Sequence, residues 1–141
     1  MSKVRVSATF NVSADELWKL VGNFQGLGNW IPTIKRSESE GGTISSGATR
    51  KLALAGGGEL IERLEHVSDS ERVYRYSIVS GPLPVADYEA EVRVRDRGNG
   101  SATVEWSSKF EPKDVQEADA VQAVQDLYNA GFENLRRLYG G

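Results

Sequence analysis

The residues best suited to chemistry sit in alternating runs. Glu62 alternates with Leu60 and Leu64. If that face turns inward, Glu62 is a carboxylate in an apolar lining, and burial without a partner would raise its pKa into the range of a general acid or base. The same placement admits a salt bridge with Arg50 on the adjacent strand, or simple exposure. Arg50 follows a turn glycine at the head of a strand. Its planar donors suit bidentate bonding to a carboxylate or phenolate ligand, unless it lies on the surface. Glu62 and Arg50 are the catalytic candidates. Tyr74, Tyr76, Tyr88, Tyr128 and Trp106 carry polar tips on large rings, which need partners once buried. A ligand, a water or ordinary core packing would each supply them. Leu52, Ile78, Ser108, Val124 and Phe132 complete the candidate lining. Trp30 and Phe24 lie in a glycine-rich stretch, where they would either gate a mouth or anchor the short helices; Trp30 is counted with the ligand-binding candidates.

Other chemistries are poorly supplied. His66 is the single histidine; it shares the parity of Glu62 and Leu64 but ends its strand, so a surface or edge role is expected. No histidine-based metal site or calcium loop is legible, and no metal or cofactor is expected. Gly56-Gly57-Gly58 lacks the lysine and the strand-to-helix setting of a phosphate loop, and reads as a flexible hairpin. The absence of cysteine excludes disulfides and thiolate nucleophiles. With a net charge of -3 and dispersed Lys and Arg, a nucleic-acid surface is not expected. No run approaches the roughly 20 apolar residues of a membrane helix, and the first residues have no signal-peptide pattern. A cytoplasmic location follows by default; a homodimer stays open.

The positioning elements are marked by periodicity. Residues 3–11 alternate as a strand with Val4, Val6, Ala8 and Phe10 on one face. Ser13-Ala14-Asp15-Glu16 forms a capping box, with Val12 and Leu17 placed as a hydrophobic staple, and a short helix ending at Gly22 should follow. A second helical turn or compact loop is expected over 23–32. Strands are predicted at 33–40, 48–55, 59–67, 72–80, 87–96 and 101–110, separated by Gly-, Pro- and Asn-rich breaks. Tyr74, Tyr76 and Ile78 share one face; so do Tyr88, Ala90, Val92 and Val94, and so do Val104, Trp106, Ser108 and Phe110. A long helix over 114–139 should open with an Asp114/Glu117 box. Its apolar stripe is Val121, Val124, Tyr128, Phe132, Leu135 and Leu138.

These elements describe one α+β domain over 1–141: a seven-stranded, curved antiparallel sheet gripping a long C-terminal helix, with two short helices after the first strand. A bent sheet around one helix leaves room either for an apolar cavity or for a packed core. The order of elements resembles the START-like, birch-pollen-allergen-like superfamily (SRPBCC), and within it the polyketide cyclase/dehydrase and lipid transport family. The resemblance rests on Ser13–Trp18, Gly28–Pro32, Gly47–Arg50, Glu62–Glu65, Tyr76–Ile78 and Gly81–Pro84. Gly47–Arg50 and Glu62–Glu65 are also similar to segments of plant abscisic acid receptors, which implies a mouth framed by loops 54–60 and 80–86. Gly81-Pro82-Leu83-Pro84 replaces the receptors' His-Arg-Leu latch, so a hormone-receptor role is not implied. What the resemblance implies is binding or transport of a hydrophobic small molecule, lipid or polyketide-like, in an internal cavity. The alternatives are a cyclase or dehydratase using Glu62, Arg50 or a tyrosine, and a protein-interaction module.

Overall fold

The computed structural model describes residues 2–22, 34–40, 49–54 and 58–140. The elements are β1 (Ser2–Phe10), α1 (Ala14–Val21), β2 (Ile34–Glu40), β3 (Thr49–Leu54), β4 (Glu59–Ser68), β5 (Val73–Ser80), β6 (Val85–Gly98), β7 (Ser101–Pro112) and α2 (Glu117–Tyr139). The strands form one sheet in the order β1-β7-β6-β5-β4-β3-β2, antiparallel throughout. The chain therefore has the expected α+β class. The second short helix was expected in a stretch that lies outside the described residues.

Register shifts in β2–β3, β4–β5 and β6–β7 bend and twist the sheet, because a residue without a partner shortens one strand against its neighbour. One shift falls between Leu64 and His66, and sets His66 opposite Arg75 rather than on the face of Leu64. His66 is thereby carried to the solvent face, and the parity read from the sequence fails at that point. Val67, paired with Tyr74, packs against the core instead.

The dry face is built as the alternation requires. Val4 and Phe10, Leu52, Leu60 and Leu64, Tyr74 and Tyr76, Val92 and Val94, and Val104, Trp106 and Phe110 are all buried. Helix α1 starts where Ser13 accepts a hydrogen bond from the Glu16 amide at 3.3 Å. The Glu16 carboxylate reaches Lys19 at 3.6 Å. Trp18 packs beside Tyr74 and donates its indole N–H to Asp69 at 3.0 Å, which ties α1 to the β4–β5 turn.

Helix α2 departs from expectation at both ends. Asp114 takes φ 61° and lies outside the helix; Gln116 is the N-cap and makes no side-chain capping bond. At the far end Leu138 is 54% exposed. The buried stripe is Ala120, Val124, Tyr128, Gly131, Phe132 and Leu135, and Val121 is only partly covered. A helix at 3.6 residues per turn drifts off a fixed spacing over six turns, so the stripe leaves the sheet before Leu138. The helix packs along β1 and β7.

A Cβ at Gly22 would stand 2.5 Å from the Trp18 indole. Gly22→Ala must therefore displace a ring that is already hydrogen-bonded and packed, and is expected to lower stability by about 1–3 kcal/mol; chemical denaturation measures it.

Candidate functional site

Arg50 and Glu62 face each other across β3 and β4. Both side chains point inward, at 0% and 4% exposure. Arg50 Nε donates to Glu62 Oε1 at 2.7 Å, and a terminal guanidinium nitrogen reaches the same oxygen at 2.5 Å. Two of the readings left open by the sequence thus hold together: Glu62 lies inside, and it is paired with Arg50. The guanidinium carbon also lies 5.0 Å from the Tyr76 ring centre and 5.9 Å from that of Tyr74, within cation–π range.

Burial raises the Glu62 carboxyl above its ordinary pKa, and the adjacent Arg50 charge and hydrogen bonds offset only part of that rise. Burial acts to lower the Arg50 pKa, but Glu62, Tyr74 and Tyr76 hold it above its ordinary value. Arginine keeps its proton at any accessible pH. Protonating Glu62 would leave a lone buried cation, which favours the ion-paired form.

Beyond the pair runs a chain of polar tips. Trp106 donates its indole N–H to the Tyr76 hydroxyl at 3.1 Å. Tyr76 and Tyr88 share a hydroxyl bond at 3.2 Å, and Tyr88 bonds Tyr128. Sheet register sets this up: Tyr76 pairs with Ala90, and Val92 with Trp106, so rings from β5, β6 and β7 meet over small side chains. Tyr128 comes from α2, its ring stacked on Trp106 with centroids 3.8 Å apart. Ser108 is buried beside the Tyr128 hydroxyl. Leu52, Val124 and Phe132 are buried around the network, and Ile78 is partly buried against it. Phe132 meets Phe10 edge-on at 6.1 Å, and Phe110 stacks on Tyr88 at 6.0 Å. Phe10 and Phe110 were legible as inward strand residues but were not read as part of the site. Trp30 and Phe24 lie outside the described residues, so the gating reading is not addressed. His66 faces away from the network.

Removing one member of a buried ion pair leaves the other uncompensated. Glu62→Ala should therefore destabilise by about 3–5 kcal/mol, whereas the apolar double variant Arg50→Met/Glu62→Leu should recover most of the loss; denaturation midpoints compare them. Burial also raises the pKa of Tyr74, Tyr76, Tyr88 and Tyr128. A group whose folded pKa is raised contributes stability below its unfolded pKa and loses it above. Stability should thus fall once pH passes about 10, by about 1.4 kcal/mol per pH unit for each such tyrosine. Phenolate absorbance should then rise together with the loss of circular dichroism, in one step.

Comparison with known proteins agrees with this architecture. The chain is similar to the solved structure of XoxI from Bacillus cereus, with 33% identity, a TM-score of 0.92, and coverage of 99% of this chain and 96% of that one. An uncharacterised protein from Bacillus thuringiensis is also 33% identical, with a TM-score of 0.90 and coverage of 97% and 98%. A Thermobifida fusca protein is 27% identical, with a TM-score of 0.82 and coverage of 98% and 95%. No curated protein matches the sequence. The family described as polyketide cyclase / dehydrase and lipid transport matches residues 1–140, and the chain belongs to that family.

Proposed function

We propose that the protein binds a hydrophobic small molecule, lipid or aromatic and polyketide-like, between the sheet and α2. One observation carries this reading: a buried ion pair and a chain of bonded phenols lie together inside an apolar lining. Burying polar groups costs free energy even when they are paired, and an all-apolar core would hold the fold at lower cost. Ligand sites combine an apolar wall with a few convergent polar groups, and this interior has that composition. Family membership supports a hydrophobic ligand as well. The rings would grip an apolar body while Tyr88, Tyr128 and Ser108 orient its oxygen atoms. Arg50 would act mainly by fixing Glu62 and the tyrosine rings around it. Among the described residues no helix is long and apolar enough to cross a membrane.

A cyclase or dehydratase is the second reading, favoured by the inward position of the Glu62 carboxyl and the upward push of burial on it. Its weakness is the same ion pair: a carboxylate held twice by a guanidinium is a poor proton acceptor. Turnover that Glu62→Gln abolishes while binding survives would establish it.

Native mass spectrometry followed by denaturing extraction tests the binding reading. An apolar molecule should accompany the purified protein at close to one-to-one occupancy. A protein that carries none, and that also fails to bind a panel of apolar fluorescent probes, would contradict the proposal and favour a protein-interaction role.

A further inference from the structure

On the dry face one row of side chains crosses four strands: Tyr76, Ala90, Ser108 and Val4, each opposite the next. The two in the middle are small. The flanking rows carry rings, with Tyr88 stacked on Phe110 at 6.0 Å and Tyr128 of α2 stacked on Trp106 at 3.8 Å. The relief of this face therefore dips at Ala90 and Ser108, between two ring stacks. Ser108 is 7% exposed, and its hydroxyl meets no hydrogen-bond partner although it lies beside that of Tyr128.

The hydroxyls gathered here hold more protons than their mutual bonds consume. Each phenol and the serine carry one O–H. Tyr76, Tyr88 and Tyr128 are joined by two bonds, which use two of their three protons. The Trp106 indole adds a donor to Tyr76 and accepts nothing. One phenol proton is thus unspent whichever way the chain points, and the Ser108 proton is unspent too. A bond between Tyr128 and Ser108 would use one of the two and leave the other. The Glu62 carboxylate is bonded by Arg50 and by none of these hydroxyls. A buried donor without an acceptor costs free energy, and such groups are rare in folded proteins.

We infer that Ser108 and the end of the phenol chain donate to a neutral carbonyl oxygen, so that the site selects flat aromatic ketones or quinones over hydrocarbons of the same shape. The inference rests on the binding reading above and names a ligand class for it. A carbonyl oxygen accepts two hydrogen bonds and donates none, which matches two unspent protons. An alcohol brings a further proton of its own. A carboxylate brings a charge into an apolar wall where the Arg50 guanidinium is already paired with Glu62. The two ring stacks set the shape, since an aromatic body packs well against ring faces and edges.

Equilibrium dialysis against 9-fluorenone and fluorene tests this, because the two tricyclic molecules differ by a carbonyl in place of a methylene. The parent should bind the ketone about tenfold more tightly, the worth of one net hydrogen bond, although the hydrocarbon is the more apolar. Ser108→Ala should erase that preference by weakening the ketone alone, with fluorene bound as in the parent. The same variant, free of ligand, should unfold at no lower denaturant concentration, because it deletes a buried hydroxyl that bonds nothing. A serine with a purely structural role would lower the midpoint, and that result overturns the inference. Equal binding of the two compounds by the parent, a preference that survives Ser108→Ala, or binding of apolar probes but of neither tricycle also overturns it and leaves the binding reading intact. A parent protein that binds neither tricycles nor probes overturns both.

Discussion

Arg50 and Glu62 set the terms for the rest of the interior. Two opposite charges taken out of water are tolerable only while they touch, since either one alone would cost several kcal/mol. Their contact requires β3 and β4 to keep the register that sets Arg50 opposite Glu62. It also requires the Tyr74 and Tyr76 rings to stay against the guanidinium, which fixes β5 beside β4. A slip of one residue in this region would turn both charges to solvent and the neighbouring leucines with them. The pair therefore specifies strand register as well as polarity.

From that anchor the order propagates by shared groups. Tyr76 belongs both to the charged pair and to the phenol chain. Tyr128 joins the chain from α2 and stacks on Trp106 of β7. The helix is thus held by a polar bond and a ring stack at its centre, with Phe132 against Phe10 one turn on. Hydroxyls that bond one another also keep their protons, because burial disfavours each phenolate and a charged neighbour would disfavour the next. The described interior presents neutral donors and acceptors, with the Arg50–Glu62 charge pair self-compensated.

Much of this was legible in the sequence because alternation is a local property. The inward parity of Glu62, Tyr76, Tyr88, Trp106 and Ser108 follows from period-two spacing within each strand, and Gly-rich breaks mark where strands turn. What escaped is whatever depends on two strands at once. The irregularity after Leu64 turns His66 outward, yet nothing in Leu64-Glu65-His66-Val67 marks it. Asp87 takes a left-handed conformation at the register shift in β6, which period-two spacing does not mark. The Asp114 box failed for a related reason: the chain leaving β7 takes a left-handed turn at Asp114, and the helix begins only at Glu117. That Glu62 would be both inside and paired could not be chosen from spacing alone, because the pairing depends on a neighbouring strand.

The Arg50–Glu62 pair lies at the centre of the proposed ligand site. Carbon-13 NMR of the protein labelled at glutamate carboxyls, with the Glu62 signal assigned by its loss in Glu62→Gln, reads its charge state directly. At neutral pH Glu62 should show the chemical shift of an ionised carboxylate, with a cross-peak placing the Arg50 Nε proton in a hydrogen bond. A protonated-carboxyl shift at neutral pH would contradict it, and would make Glu62 a stored proton rather than half of a structural pair.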